Sequence, residues 1–178
     1  MISPPPGLVD TYAGWARHQR ELIELLGGLT HDQLALRPAS EPQHWAIWQL
    51  ASNMVGGRAY WFHSVLGEGQ PAIRDMFRVT QTTVPDLRLT DAGWEDDENH
   101  PRGSAELVHA FETTWQLVQD CLGRWTAEDL EEVVAAKAGA YPTVKRGWVV
   151  WHLIEHELQH GTEIALILRQ HGLPTIEL

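Results

Sequence analysis

The chain reads as an all-α protein, a four-helix bundle with a long crossover connection between its second and third helices. Three observations lead there. Four segments repeat apolar residues at spacings of three and four, the signature of a helix with one buried face. No stretch shows the apolar–polar alternation of a strand that persists beyond a few residues. Proline and glycine signals such as Pro4-Pro5-Pro6, Gly27-Gly28, Gly67 and Pro101-Arg102-Gly103 bound the periodic segments. At 178 residues, with no internal repeat or dividing linker, residues 1–178 make one domain of ordinary size.

The first helix is predicted from Leu8 to Leu26, opened by Pro4-Pro5-Pro6 and closed by Gly27-Gly28. Leu8, Tyr12, Trp15, Gln19, Leu22 and Leu26 form its stripe, with Gln19 the one polar break. The second is predicted from Trp45 to Leu66, stopped by Gly67. It has two apolar stripes, Ile47-Leu50-Met54-Trp61-Val65 and Trp48-Ala51-Val55-Ala59-Phe62-Leu66, so it belongs at the centre. The third starts after Pro101-Arg102-Gly103 with Ser104 as its N-cap and runs to Leu122. The segment Thr126 to Leu130 reads as a short capped helix. The fourth is predicted from Lys145 to Arg169, ahead of Gly172 and Pro174. The connection from Gly67 to Pro101 is long for such a fold, and a loop of that length is expected to be a lid or to hold a short extra helix. Its acidic run Glu95-Asp96-Asp97-Glu98 lacks the alternation and glycine of a calcium loop and reads as solvated.

Thirteen Lys and Arg stand against 24 Asp and Glu, a formal charge of −11, with no local basic cluster. Such a chain repels phosphate backbones and anionic membranes, so neither nucleic acid nor membrane is an expected partner. The run His44 to Gly57 is too short and too polar to span a bilayer. The first residues show no basic segment followed by an apolar one, and the single Cys121 excludes an intramolecular disulfide framework; a cytoplasmic location is the expectation. Cys121 itself reads as a small core residue.

The fourth segment carries His152, His156 and His160 at intervals of four residues. On a helix this stacks them along one side, each about 6 Å above the last. His156 and His160 fall inside the apolar stripe with Val149, Leu153, Ile164 and Ile167, whereas His152 lies at its flank. Imidazoles on a core-facing stripe need partners. The spacing fits two ligands converging on one divalent metal, and it fits equally a pair of core histidines satisfied by Glu and backbone carbonyls. Glu155 and Glu157 are expected to point away from the stripe, leaving Glu163 as the group beside the histidines. Three ligands from one straight helix surround a cation poorly, so His152 is assigned with Glu163 to the surroundings of the site. His18 and His109 fall outside their helices' apolar stripes and are expected at the surface.

The segment from Gly147 to Pro174, Glu155-His156-Glu157-Leu158-Gln159-His160-Gly161 above all, resembles the last helix of the DinB-like (YfiT-like) superfamily of metal-binding four-helix bundles. Trp45 to Asn53, Arg58 to Phe62, Gly93 to Asp97 and Ala105 to Leu107 agree with the same resemblance, which covers nearly the whole chain. It implies a divalent metal (Zn, Ni, Fe or Mn) on His156, His160 and a third ligand from the second helix. The family's histidine there corresponds to Asn53, whose amide oxygen is a weaker and harder donor. The activity implied is that of a thiol-dependent transferase or isomerase acting with a low-molecular-weight thiol such as mycothiol or bacillithiol and a small-molecule substrate. A metal-dependent hydrolase would use the same open positions on water. The other reading is a degenerate member without catalytic metal, a small-molecule-binding or stress-response module. The resemblance also implies a homodimer joined through helix faces. No catalytic residue is identified by the sequence.

Overall fold

A computed structural model of the chain describes residues 7–77, 94–135 and 142–176. It is mostly helical, as the periodicities require. The first predicted helix is split: α1 spans Leu8–Thr11 and α2 spans Ala13–Gly27, with Tyr12 leaving helical geometry between them. The Thr11 hydroxyl donates back to the Gly7 carbonyl at 3.0 Å, a local bond that competes with continuation of the helix. α3 spans His31–Leu34 and is held by reciprocal bonds between Thr30 and Gln33, each accepting the other's backbone N–H on its side chain.

The predicted second helix is one continuous body of two kinds. α4 spans Ile47–Arg58 and runs on as a π-helical turn over Ala59–Val65, where Leu66 N–H donates to Trp61 O across five residues. Gly67, at φ +73°, ends it. Nine residues of α4 are buried, on both of its predicted stripes, and it packs against α6 (Ser104–Arg124) and α7 (Arg146–Gln170). Its central place is thus read correctly from its two-sided apolarity.

Gly103, in extended backbone, takes the cap position of α6 in place of Ser104, whose hydroxyl donates across to Gly27 O at 3.4 Å. The short helix expected after Thr126 is a 3-10 turn, Asp129–Glu131, tied to Thr126 by Asp129. Two three-residue strands that the sequence reading did not foresee follow. β1 (Val133–Ala135) pairs antiparallel with β2 (Thr143–Lys145), Val134 opposite Val144. Runs this short carry too few alternations to be seen as strands. α7 ends where Gly172 adopts φ +68°.

Two parts of the long connection are described. α5 spans Pro71–Met76, and Trp94–Asp96 form a 3-10 turn; residues 78–93 lie outside the described residues, so the expectation of a lid is not addressed there. Trp94 is buried against Phe77, 4.8 Å between ring centroids, with the Arg102 guanidinium 4.4 Å over its ring. Asp97 is buried too and accepts from Arg102 at 3.2 Å. The acidic run is therefore only partly solvated, with Asp96 and Glu98 exposed and Asp97 buried. Tryptophan anchors one end and an ion pair draws Asp97 inward.

Two expectations about α7 and α2 fail together. Glu157, expected to face away from the core, is fully buried, and His18, expected at the surface, is buried as well. α7 has a second buried row, Val150, Glu157, Gly161 and Leu168, because it is covered on more than one side. On that row Glu157 accepts from Arg58 Nε and Nη2, both at 2.6 Å, and from Trp15 Nε1 at 2.8 Å. Arg58 is fully buried; it also donates to Gln19 and lies over the rings of Phe111 and Trp115. The polar break at Gln19 thus answers a buried guanidinium. Burial lowers the His18 pKa, against the opposing charge of Glu157. Among the described residues no helix is long and apolar enough to cross a membrane.

Removing one partner of this pair strands a charge in the core. Arg58→Met or Glu157→Leu alone should destabilise the fold by about 3–5 kcal/mol, while the double variant should recover much of the loss, as read by urea unfolding.

Candidate metal centre

α4 and α7 run side by side and meet residue by residue. Gln49, Asn53, Gly57 and Trp61 recur at intervals of four along one side of the second helical body. Opposite them stand Glu95, His160, His156 and His152 in turn. The Gln49 amide donates to the main-chain carbonyl of Glu95 at 2.8 Å. Asn53 Oδ1 lies 3.1 Å from His160 Nε2, and Asn53 Nδ2 donates to Glu95 Oε1 at 2.9 Å. At Gly57 a Cβ would lie 3.5 Å from His156 Cε1, in ordinary van der Waals contact, which puts the imidazole against this part of α4. Trp61 packs edge-on to His152 at 5.5 Å between centroids.

The two central histidines touch edge to face, with ring centroids 4.5 Å apart. His160 is buried and held on both sides, Nδ1 lying 2.8 Å from Glu163 Oε2. Both of its nitrogens face acceptor oxygens, and a cation at Nε2 would take the place of the Asn53 contact on that side. Glu163 thus meets the ring from the side away from Asn53. It also borders a recess of about 160 Å³ shared with Ser40, Glu41, His44 and Gln170.

His156 is less well served. Its Nδ1 is buried without a hydrogen-bond partner. Burial, and then the charge of His160, pull its pKa down from 6.5 to about 4, so it is a neutral imidazole near neutrality, with one ring nitrogen free of a proton. His152 stacks on Trp148 at 4.8 Å with 9° between the rings and stands 6.0 Å from the His156 ring. It extends the aromatic row and sits farther from His160 and Asn53. Burial lowers its pKa as well.

Glu95 is the residue that sequence reasoning missed. Its Oε2 is buried without a partner, and burial raises its pKa, with its hydrogen bonds acting in the opposite sense. Nothing in its local spacing marks it, because it reaches Asn53 across 42 residues of chain. The available signal was the pair Gln49 and Asn53, two amides one turn apart on a helix otherwise rich in apolar residues.

The centre thus offers two imidazoles, one of them ready as a neutral donor, an amide oxygen and a carboxylate beyond it. Among the described residues no three His, Cys, Asp or Glu side chains are already gathered closely enough to hold a metal. The donor types are nonetheless ones that a divalent cation takes, and two buried atoms here, His156 Nδ1 and Glu95 Oε2, have no hydrogen-bond partner. Two other groups stay outside. Cys121 is buried in α6 with its thiol pushed up to about 12, chiefly by burial, which suits an inert core residue. His109 is exposed on α6, as expected, beside a separate groove against α5.

The DinB family model matches residues 7–178. Among solved structures, a DinB-like protein from Bacillus cereus ATCC 10987 superimposes with a TM-score of 0.63 at 17% sequence identity, over 93% of each chain. No curated protein sequence matches the chain.

The depressed pKa of His156 has a consequence for stability in metal-free protein. As pH falls, the unfolded chain takes up this proton first, so stability is complete above about pH 6.5 and is lost toward pH 4. The loss should be roughly 2–3 kcal/mol. Urea midpoints at pH 7 and pH 4.5 should converge in a His156→Gln variant, and a variant as pH-sensitive as the natural protein would place the titration elsewhere.

Proposed function

Because the chain belongs to the DinB family, we propose that it is a divalent-metal protein acting on a small molecule with a low-molecular-weight thiol, as a transferase or isomerase. The proposal includes a four-helix bundle whose second and third helices are joined by a long crossover. One observation carries it: Asn53 presents its amide oxygen to His160 Nε2 at 3.1 Å while Glu163 holds the opposite nitrogen. A residue of the second helix thus meets the histidine pair of the last helix where the family's third ligand is expected, although it is not a histidine.

A divalent cation bound here would lower the pKa of a coordinated thiol or water, supplying thiolate or hydroxide near neutral pH. The protein's own groups do the rest. Glu163 holds the His160 ring through Nδ1, so that a cation would meet the ring at Nε2, in place of its contact with Asn53. His156 is uncharged at working pH and needs no proton removed. Tryptophans flank the row, Trp45 at 6.2 Å from the His160 ring and Trp61 and Trp148 about His152.

A second reading has its own support. Hydrogen bonds link His160, Asn53 and Glu95 directly, side chain to side chain, as they would in a small-molecule-binding module without catalytic metal.

Protein purified without chelator should carry near-stoichiometric divalent metal, and His160→Ala should lose it, as measured by elemental analysis. Asn53→His should raise the melting temperature further on addition of Zn2+ than the natural residue allows. Metal-free natural protein whose melting temperature ignores Zn2+, Ni2+, Fe2+ and Mn2+ would leave the closed, metal-free reading standing.

A further inference from the structure

We propose that α7 joins two copies of the chain, antiparallel and about a two-fold axis at Thr162, through the side turned away from the histidine pair. This does not rest on the metal reading. Five large apolar side chains are exposed among the described residues, and three of them stand on α7: Trp151 at 58%, Leu158 at 44% and Leu166 at 49%. The other two, Val9 and Val133, stand on separate elements. Apolar residues exposed singly need no explanation, but a row of them marks a contact surface. At about 100° per residue, Trp151, Glu155, Leu158, Thr162, Leu166 and Arg169 all fall within about 40° of one line through Thr162. All six are exposed, over about 27 Å of helix. His156 and His160 point more than about 100° away from that line, so the centre stays inside each copy.

The order of residues along the stripe selects a second copy as its occupant. Leu158 and Leu166 each stand four residues from Thr162, and Glu155 and Arg169 each stand seven from it. A two-fold axis at Thr162 therefore sets Leu158 beside the partner's Leu166 and Glu155 beside the partner's Arg169, with each contact made twice. Trp151, eleven residues before Thr162, comes to the partner's Leu173, a half-buried position eleven residues after it. A parallel pairing would instead set Glu155 against Glu155 and Arg169 against Arg169, like charge on like. Both charged groups are free to engage. Arg169 has no ion-pair partner among the described residues, and Glu155 has only His152, at 3.8 Å. With one acid and one base, the stripe meets its own copy without excess charge, although the whole chain carries −11. An apolar centre with a tryptophan, flanked by opposite charges, is the make-up of a protein interface.

Sedimentation equilibrium of the full-length protein, with and without chelator, tests this. Natural protein should be a dimer at micromolar concentration in both conditions. Leu158→Glu puts two carboxylates at the middle of the seam and should weaken the dimer about a hundredfold or more, with the helical circular dichroism of each copy unchanged. Glu155→Arg alone brings arginines together and should weaken it about tenfold, and adding Arg169→Glu should restore the natural affinity. A dimer indifferent to Leu158→Glu uses another face, and that overturns the proposal. A charge reversal that the second substitution does not rescue denies the antiparallel register and overturns it as well. Natural protein that stays monomeric leaves the stripe to a different partner, and the proposal falls. Should Leu158→Glu not fold, the charge reversal and its rescue decide by themselves, since both positions are exposed.

Discussion

Arg58 and Glu157 are buried completely and bonded through two parallel contacts, and the register of α4 against α7 depends on them. Sliding one helix past the other by a turn would leave a guanidinium and a carboxylate apart in an apolar interior, which no nearby polar group could repair. Apolar side chains impose no such exactness, since they pack acceptably in several registers. The surrounding groups are arranged around the pair: Trp15 and Gln19 from α2 fill its remaining bonds, and Phe111 and Trp115 from α6 lie under the guanidinium. One polar cluster therefore ties four helices together.

The centre is the immediate neighbour of this clamp. Gly57 precedes Arg58, and His156 precedes Glu157, so the ion pair that sets the register also sets Gly57 against His156 and Asn53 against His160. Each successive pair along the two helices follows at one-turn intervals, ending in the aromatic contact of Trp61 with His152. The stability of the core and the geometry of the centre are in this sense one property. A change at Glu157 reaches His156 without touching it, through the position of the helix that carries both.

Much of the architecture was legible in the chain. Apolar residues at spacings of three and four marked the long helices, two-sided apolarity marked α4 as central, and Gly67 and Gly172 marked ends that do adopt positive φ. His156, His160 and Glu163 were legible as a group because they share a helix, where a spacing of three or four residues is a spatial contact. His18, Glu157 and Glu95 were not. Each is buried because of a partner far along the chain, Glu157 and Arg58 being 99 residues apart and Glu95 and Asn53 42. A helical wheel places a side chain relative to its own helix alone; it cannot count how many neighbours will cover that helix.

By itself, then, the amino-acid order determined the helical class, the family and the histidine pair, because these follow from periodicity and from residues a turn apart. Tertiary structure alone decided that a charged pair lies at the heart of the fold. It also decided that a carboxylate from an acidic connection stands beside Asn53, opposite the histidines. Those outcomes depend on which helices pack together and in what register. That register is a balance of desolvation against pairing among residues dozens of positions apart, and no local pattern in the chain records it.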